Sequence, residues 1–250
     1  MTPHPPELEN QRMPFFDSLV HTTPDGSWLG ERRYNADVDR LVEDMQSEGI
    51  ERACLVAIAD FIDNQHVLDV ASRHPGRFVP VGSINPAAIA KAEIEEAVGQ
   101  IARRGFAGLK LHPRLNEYDP LDERCLSTIR AAGRCGLVVF LDTLFRQRRA
   151  ATRYSLDVVD RIAVDCPDTQ IVLLHGCGAA LLELTELVRL HSQLVLDASF
   201  TILKYRGSSL DLDLRYAFSQ LDRRIVVGSD FPEFLPSEAQ RISAELMEGL

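Results

Sequence analysis

Short runs of Val, Ile, Leu and Phe alternate with longer segments in which apolar residues recur every three or four positions, and the alternation repeats eight times. The runs Phe15–His21, Arg52–Ile58, Phe78–Ile84, Ala107–His112, Leu137–Thr143, Gln170–His175, Leu194–Ser199 and Arg224–Asp230 predict eight strands. Most are continuously apolar, as parallel strands covered on both faces are. Their starts lie roughly 30 residues apart, the length of one βα unit. Between them, Val38, Leu41, Val42 and Met45 follow the i, i+3, i+4, i+7 rule and stop at Gly49, a good position to end a helix. Ile94, Ala97, Val98 and Ile101 repeat the pattern, as do Leu181, Leu184, Leu187 and Val188. A last helix is expected from Ser237 to Leu250, behind Pro236 and with Glu238 in its first turn.

Eight such units with no linker-like stretch predict one α/β domain over residues 14–250, a (β/α)8 barrel. A doubly wound open sheet shows the same alternation. The chain lacks G-x-G-x-x-G after its first strand, however, and eight units suit barrel closure better. Residues 1–13, with three prolines and no apolar stretch behind a basic head, read as a flexible tail rather than a secretory signal.

Composition narrows the function. The 250 residues are 45% hydrophobic and 26% charged, too apolar for a disordered chain, yet no apolar run reaches the roughly 20 residues of a membrane span. With 27 Lys+Arg against 37 Asp+Glu the formal net charge is -10, and no block of basic residues interrupts it; nucleic acid and membrane surfaces are therefore poor partners. Five widely spaced cysteines without a C-x-x-C pair argue against a disulfide framework or a zinc-thiolate centre, and a reducing cytoplasm is the expected compartment.

In a parallel barrel the chemistry sits where strands end. Here the first strand ends Asp17-Ser18-Leu19-Val20-His21, the fourth Lys110-Leu111-His112-Pro113, the fifth Leu141-Asp142-Thr143, the sixth Leu174-His175-Gly176 and the eighth Gly228-Ser229-Asp230. Any one of these polar residues alone is explained as a helix cap or turn former. Together they place imidazoles and carboxylates on one mouth, donors of the type that bind zinc, iron or manganese and activate water.

The segments FFDSLVHTTPDG, RHPGRFVPVGSINP, GFAGLKLHPRLNEYDPLD, IVLLHGCG, LVLDASF and RIVVGSDFP carry a resemblance to the amidohydrolase superfamily, in its amidohydrolase-2 branch of barrel hydrolases and decarboxylases. That resemblance covers almost the whole chain. It implies His-x-His on the first strand, a His from each of the fifth and sixth, and an Asp from the eighth that binds metal and moves protons; His21, His175 and Asp230 match. Two positions depart from it: Leu19 replaces the first His, and Asp142 the fifth-strand His. Leucine cannot ligate, whereas a carboxylate can, so the resemblance leaves either one divalent ion, zinc or manganese, on His21, Asp142, His175 and Asp230, or no metal at all.

Lys110 lies two residues before His112 on the same strand face and is expected as a buried ammonium paired with a carboxylate. His112 is expected to touch substrate or anchor the strand. Cys177 has no adjacent base and is expected to be inert, and His66, His74 and His191 to be structural or surface histidines. The loop TLFRQRRAATRYS brings Arg146, Arg148, Arg149 and Arg153, and TILKYRGSS brings Lys204 and Arg206, each without an intervening acid. With Arg114 these residues predict a locally basic rim on an acidic protein, and a small anionic metabolite as substrate.

The resulting expectation is a hydrolase of an amide, ester or lactone, with water activated by Asp230 beside His175 and His21, and with His112, Arg114, Arg146, Arg149, Lys204 and Arg206 binding the anion. A metal-independent lactonase, a decarboxylase, or a non-catalytic barrel that binds a ligand or partner are the alternatives. Relatives often form dimers or larger assemblies, and a homo-oligomer is compatible with this chain.

Overall fold

The computed structural model describes residues 14–144 and 155–250. Eight parallel strands follow one another around the sheet in chain order: β1 (Phe16–Val20), β2 (Arg52–Val56), β3 (Phe78–Ser83), β4 (Gly108–Leu111), β5 (Val138–Asp142), β6 (Ile171–Leu174), β7 (Leu194–Asp197) and β8 (Ile225–Val226). The segment after β8 then meets β1: Ser18 N donates to Val227 O, Asp230 N to Leu19 O and His21 N to Phe231 O. These bonds close the sheet into a (β/α)8 barrel.

Helices α1 (Val38–Ser47), α2 (Asn64–Arg73), α3 (Ile94–Arg103), α4 (Glu123–Arg134), α5 (Asp157–Asp165), α6 (Leu181–Leu190), α7 (Thr201–Lys204), α8 (Leu210–Leu221) and α9 (Pro236–Met247) surround it. Asp37, Asp63 and Asp122 cap α1, α2 and α4, each side chain accepting from backbone N–H groups of the first turn. The apolar stripes read from the sequence turn inward: Leu41 and Met45 on α1, Ile94, Val98 and Ile101 on α3, and Leu181, Leu184 and Val188 on α6 are buried against the sheet. No helix among the described residues is long and apolar enough to cross a membrane.

Alternation along each strand sorts side chains into two cores. Val20, Leu55, Leu109, Leu111, Val139, Leu141, Leu173 and Leu196 face the helices. Leu19, Cys54, Val56, Val81, Phe140, Val172 and Leu174 fill the barrel itself. Leu19 is therefore an interior residue, and the β1–β2 register shifts between Asp17 and Val20. Gly108 opens β4 because a Cβ there would lie 2.7 Å from Val138 O and 2.8 Å from the Phe140 ring that fills the interior.

The eighth strand is shorter than its apolar run suggests, spanning Ile225–Val226 rather than Arg224–Asp230. A buried carboxylate is the reason. Asp17 Oδ1 accepts from both Leu19 N and Ser229 N at 3.0 Å, replacing regular ladder bonds where β1 meets the end of β8. A Cβ on Gly228 would sit 2.7 Å from Leu19 N and 2.9 Å from Asp17 Oδ1, so only glycine lets the two backbones approach.

Asp17 Oδ2 is buried without a hydrogen-bond partner among the described residues. Burial pushes the carboxyl up to about 7, against the hydrogen bonds that favour its charged form. A raised carboxyl makes the folded state bind more protons than the unfolded one, so its contribution to stability falls as pH rises from 3.8 to about 7. At 1.36 kcal/mol per pKa unit, that loss is at most about 4 kcal/mol. Asp17→Asn should flatten the stability profile across this window by a corresponding amount, as read by urea unfolding at stepped pH. A parallel, undiminished slope in the variant would exclude Asp17 as its source.

Candidate active site

The strand ends hold two residues on strained backbone. His175, directly after β6, has φ 66°, and Asp230, at the end of the segment that follows β8, has φ 58°. A left-handed conformation costs a non-glycine residue about 1–3 kcal/mol and persists only where its surroundings enforce it. For His175 the enforcing contacts come from the end of β7: His175 N donates to Asp197 Oδ1 at 3.2 Å, Thr201 Oγ1 donates to His175 O at 2.6 Å, and the Phe200 ring stands edge-on to the imidazole at 5.9 Å. Asp197 is itself held by the hydroxyls of Ser18 and Ser199. For Asp230 the backbone is pinned between Leu19 O, which accepts its N–H, and Glu233 N, which donates to its carbonyl.

Hydrogen bonds fix the form of each imidazole. His21 Nδ1 lies 2.7 Å from Val56 O; a carbonyl only accepts, so Nδ1 carries the proton and Nε2 presents a lone pair to the mouth. Lys110 Nζ donates to that lone pair at 3.1 Å. Burial first and the Lys110 charge second hold His21 far below its ordinary pKa, consistent with a neutral ring. Trp28 stacks on the same ring with centroids 5.4 Å apart. His112 is the opposite tautomer: its Nδ1 accepts from Leu115 N at 3.4 Å, which leaves an Nε2 proton facing Asp142 Oδ2 at 3.4 Å.

Asp142 is the shared anion of this cluster. Its Oδ2 lies 3.4 Å from each of His112 Nε2, Arg114 and His175 Nε2. Burial alone would raise its pKa, but these three neighbours together hold the carboxyl well below the usual carboxylate range. His175 stands between two carboxylates, with Nε2 toward Asp142 and Nδ1 4.0 Å from Asp230 Oδ2 and 3.2 Å from Ser199 Oγ. Burial opposes its charged form, yet Asp230 and Asp142 outweigh burial and raise its pKa, favouring an imidazolium. Burial raises Asp230 in turn, against the pull of His175 and Lys110. The result is a buried carboxylate with increased proton affinity beside an imidazole whose protonated form is favoured by two carboxylates.

The amidohydrolase family profile matches residues 22–245. The chain belongs to the amidohydrolase family. Comparison with curated proteins found no match. Among solved structures, an uncharacterised TIM-barrel protein from Bordetella bronchiseptica is 20% identical over 94% of this chain and 92% of its own, with a TM-score of 0.77. A probable 2-pyrone-4,6-dicarboxylic acid hydrolase from Acinetobacter baumannii, with citric acid bound, is 15% identical over 94% and 92%, with a TM-score of 0.66. A 5-carboxyvanillate decarboxylase from Novosphingobium aromaticivorans, complexed with manganese and 4-hydroxy-3-methoxy-5-nitrobenzoic acid, is 12% identical over 96% and 90%, with a TM-score of 0.62. These likenesses carry the amidohydrolase barrel.

A divalent metal is thus present in one structural neighbour, and the donors here can be tested for one. They do not fit it. Leu19, on the strand before His21, cannot ligate and packs among Cys54, Val56 and Phe140. The one free lone pair of His21 receives Lys110, and the two nitrogens of His175 face different carboxylates. No group of three or more His, Cys, Asp or Glu side chains among the described residues is arranged to hold a metal. The set His21, Asp142, His175 and Asp230 is therefore gathered at one mouth as an ion-pair and hydrogen-bond cluster, not as a ligand shell.

Of the residues expected to bind an anion, His112 and Arg114 join the cluster through Asp142. Arg146 and Arg149 lie outside the described residues, as do Arg148 and Arg153. Lys204 lies over the Phe200 ring at 4.6 Å, the same ring that stands edge-on to His175. Arg206 pairs with Asp211 at 3.2 Å and Glu245 at 3.0 Å on α8 and α9. Lys110 is buried as expected, but its hydrogen bond goes to an imidazole and not to a carboxylate. His191 pairs with Asp160 at 2.7 Å, His66 contacts Thr22 and His74 meets the edge of Phe78, none of them at the mouth's carboxylates.

Asp197, Ser199 and Trp28 support the site but were not singled out from the sequence. LDASF, at the end of β7, was the available signal for the first two. Removing Asp142 should strand two buried imidazoles and a part-buried guanidinium: Asp142→Ala is expected to lower unfolding free energy by about 3–5 kcal/mol. Asp160→Ala, which removes the half-exposed partner of His191, should cost less than about 1 kcal/mol. Chemical denaturation of the two variants side by side checks the contrast.

Proposed function

We propose that this amidohydrolase hydrolyses an amide, ester or lactone bond of a small anionic molecule, with Asp230 as general base. The observation that carries the reading is the placement of Asp230 on strained backbone between His21 Nε2, at 3.7 Å, and His175 Nδ1, at 4.0 Å. A carboxylate with raised proton affinity takes a proton from water, and the resulting hydroxide attacks the substrate carbonyl carbon. The oxyanion that forms is met by the positively charged His175. Collapse of the tetrahedral species breaks the bond to the leaving group, and the proton held by Asp230 is returned to it. Arg114, whose Nε is buried without a partner among the described residues, keeps donor capacity for a substrate carboxylate.

Support for an anionic substrate comes from this cationic lining within an acidic protein, and from the dicarboxylic acid named for one structural neighbour. Decarboxylation is the second reading. It is favoured by the same raised carboxyl, because a protonated Asp230 can deliver a proton to the carbon that loses carbon dioxide. A panel of lactones, amides and aromatic acids, each bearing a second carboxylate, separates the two by whether acid or carbon dioxide is released.

Asp230→Asn should lower kcat/KM about 10²–10⁴-fold while leaving substrate affinity within a few-fold. For hydrolysis, activity should fall as pH drops through the raised pKa of Asp230, since the base is then protonated; for decarboxylation the same titration should reduce activity as pH rises. An Asp230→Asn variant that turns over its substrate at the wild-type rate would exclude Asp230 as the group that moves the proton, and a wild-type protein that turns over none of the panel would leave the non-catalytic barrel.

A further inference from the structure

A structural neighbour of this chain holds manganese, whereas here a buried ammonium, Lys110, sits among the imidazoles of the mouth. We propose that the Lys110 ammonium is the fixed central cation of the mouth, standing where a divalent metal would otherwise be held and keeping one from binding. The inference concerns how the site is charged, and it stands whether the reaction is hydrolysis or decarboxylation.

Position is the first support. Lys110 follows Leu109 and precedes Leu111, both packed against the helices, so β4 alternation sends Lys110 into the barrel. Only 1% of it is exposed, and it is among the largest fully buried side chains. A lysine so placed has no route for its ammonium to reach bulk water and must be satisfied inside.

Its partners are the second support. Nζ takes the Nε2 lone pair of His21 at 3.1 Å, the same lone pair a metal would need. Burial lowers the pKa of Lys110, and the Asp230 and Asp142 carboxylates act against burial to favour its charged form; its charge in turn acts on all three mouth histidines, His21, His112 and His175. One ammonium thus communicates with every group that could have been a ligand. A dication entering among them would meet this charge at close range in a dry site, where repulsion is weakly screened.

Leu19 is the third, independent support. It cannot ligate and packs with Cys54, Val56, Val81 and Phe140, and Phe140 is the β5 neighbour of Lys110, so an apolar layer adjoins the ammonium. The two features agree: an ammonium needs acceptors but not a second imidazole below it. As a donor-only group with three protons, Lys110 keeps hydrogen-bonding capacity beyond the bond to His21, available to an oxygen of an anionic substrate.

The test uses the full chain, stripped with a chelator, incubated with manganese or zinc, desalted, and read by elemental analysis and thermal melting. Wild-type protein should retain far less metal than protein and show no rise in Tm, and Leu19→His alone should not change this, because the ammonium remains. Lys110→Met removes the charge at nearly constant volume and should take up near-stoichiometric metal with a raised Tm, especially when combined with Leu19→His; adding His21→Asn should abolish the uptake. Near-stoichiometric metal in the wild-type protein, lost on His21→Asn, would overturn the proposal, as would a folded Lys110→Met/Leu19→His variant that binds none. Should these lysine variants fail to fold, as judged by circular dichroism, the wild-type and Leu19→His measurements still decide it.

Discussion

A carboxylate with no solvent access, Asp142, governs the organisation of this barrel's mouth. A buried carboxylate left alone would protonate or unfold its surroundings, because desolvation costs several kcal/mol. Here one oxygen is shared at 3.4 Å by His112 and Arg114, from the segment after β4, and by His175, directly after β6. That arrangement fixes the tautomer of His112 and the charge of His175, and through His175 it sets the electrostatic surroundings of Asp230. Lys110 then balances the second carboxylate. The whole mouth is a neutralised cluster in which no group can change without exposing another.

Rigidity follows from the same economy. His175 and Asp230 are held in left-handed backbone, and the contacts that hold them come from neighbouring strand ends: Asp197 and Thr201 for the first, Leu19 and Glu233 for the second. Strain at two interacting residues is tolerable where the scaffold beneath is closed and packed, as the interior layer of Leu19, Val56, Phe140 and Leu174 is. Contacts of this kind hold the side chains of the mouth in one fixed arrangement.

Much of this was legible in the sequence. Eight apolar runs at βα spacing predict the barrel, and every strand is found within or overlapping its run. Polar residues at five strand ends named His21, Lys110, His112, Asp142, His175 and Asp230, and all six lie at one mouth, because a parallel barrel brings every strand's C-terminal end to the same face. What pattern could not supply was pairing. Strand periodicity places Lys110 in the barrel but does not say that an imidazole, not a carboxylate, receives its proton. Runs of basic residues likewise do not say which acids await them, and Arg206 is committed to Asp211 and Glu245 on the outer helices. The shortened β8 depends on Asp17, 212 positions away from Ser229, replacing ladder bonds, a relation no local window contains.

The central claim is that the protein supplies its own cation at the mouth. Diffraction at the manganese absorption edge, from crystals grown with manganese and a small dicarboxylate, tests it most directly. The account predicts no anomalous peak among His21, His175 and Asp230, with Lys110 Nζ in hydrogen-bond reach of His21 Nε2 and a carboxylate of the ligand beside it. A manganese peak ligated by His21 and Asp230, with the lysine side chain turned away, would contradict it.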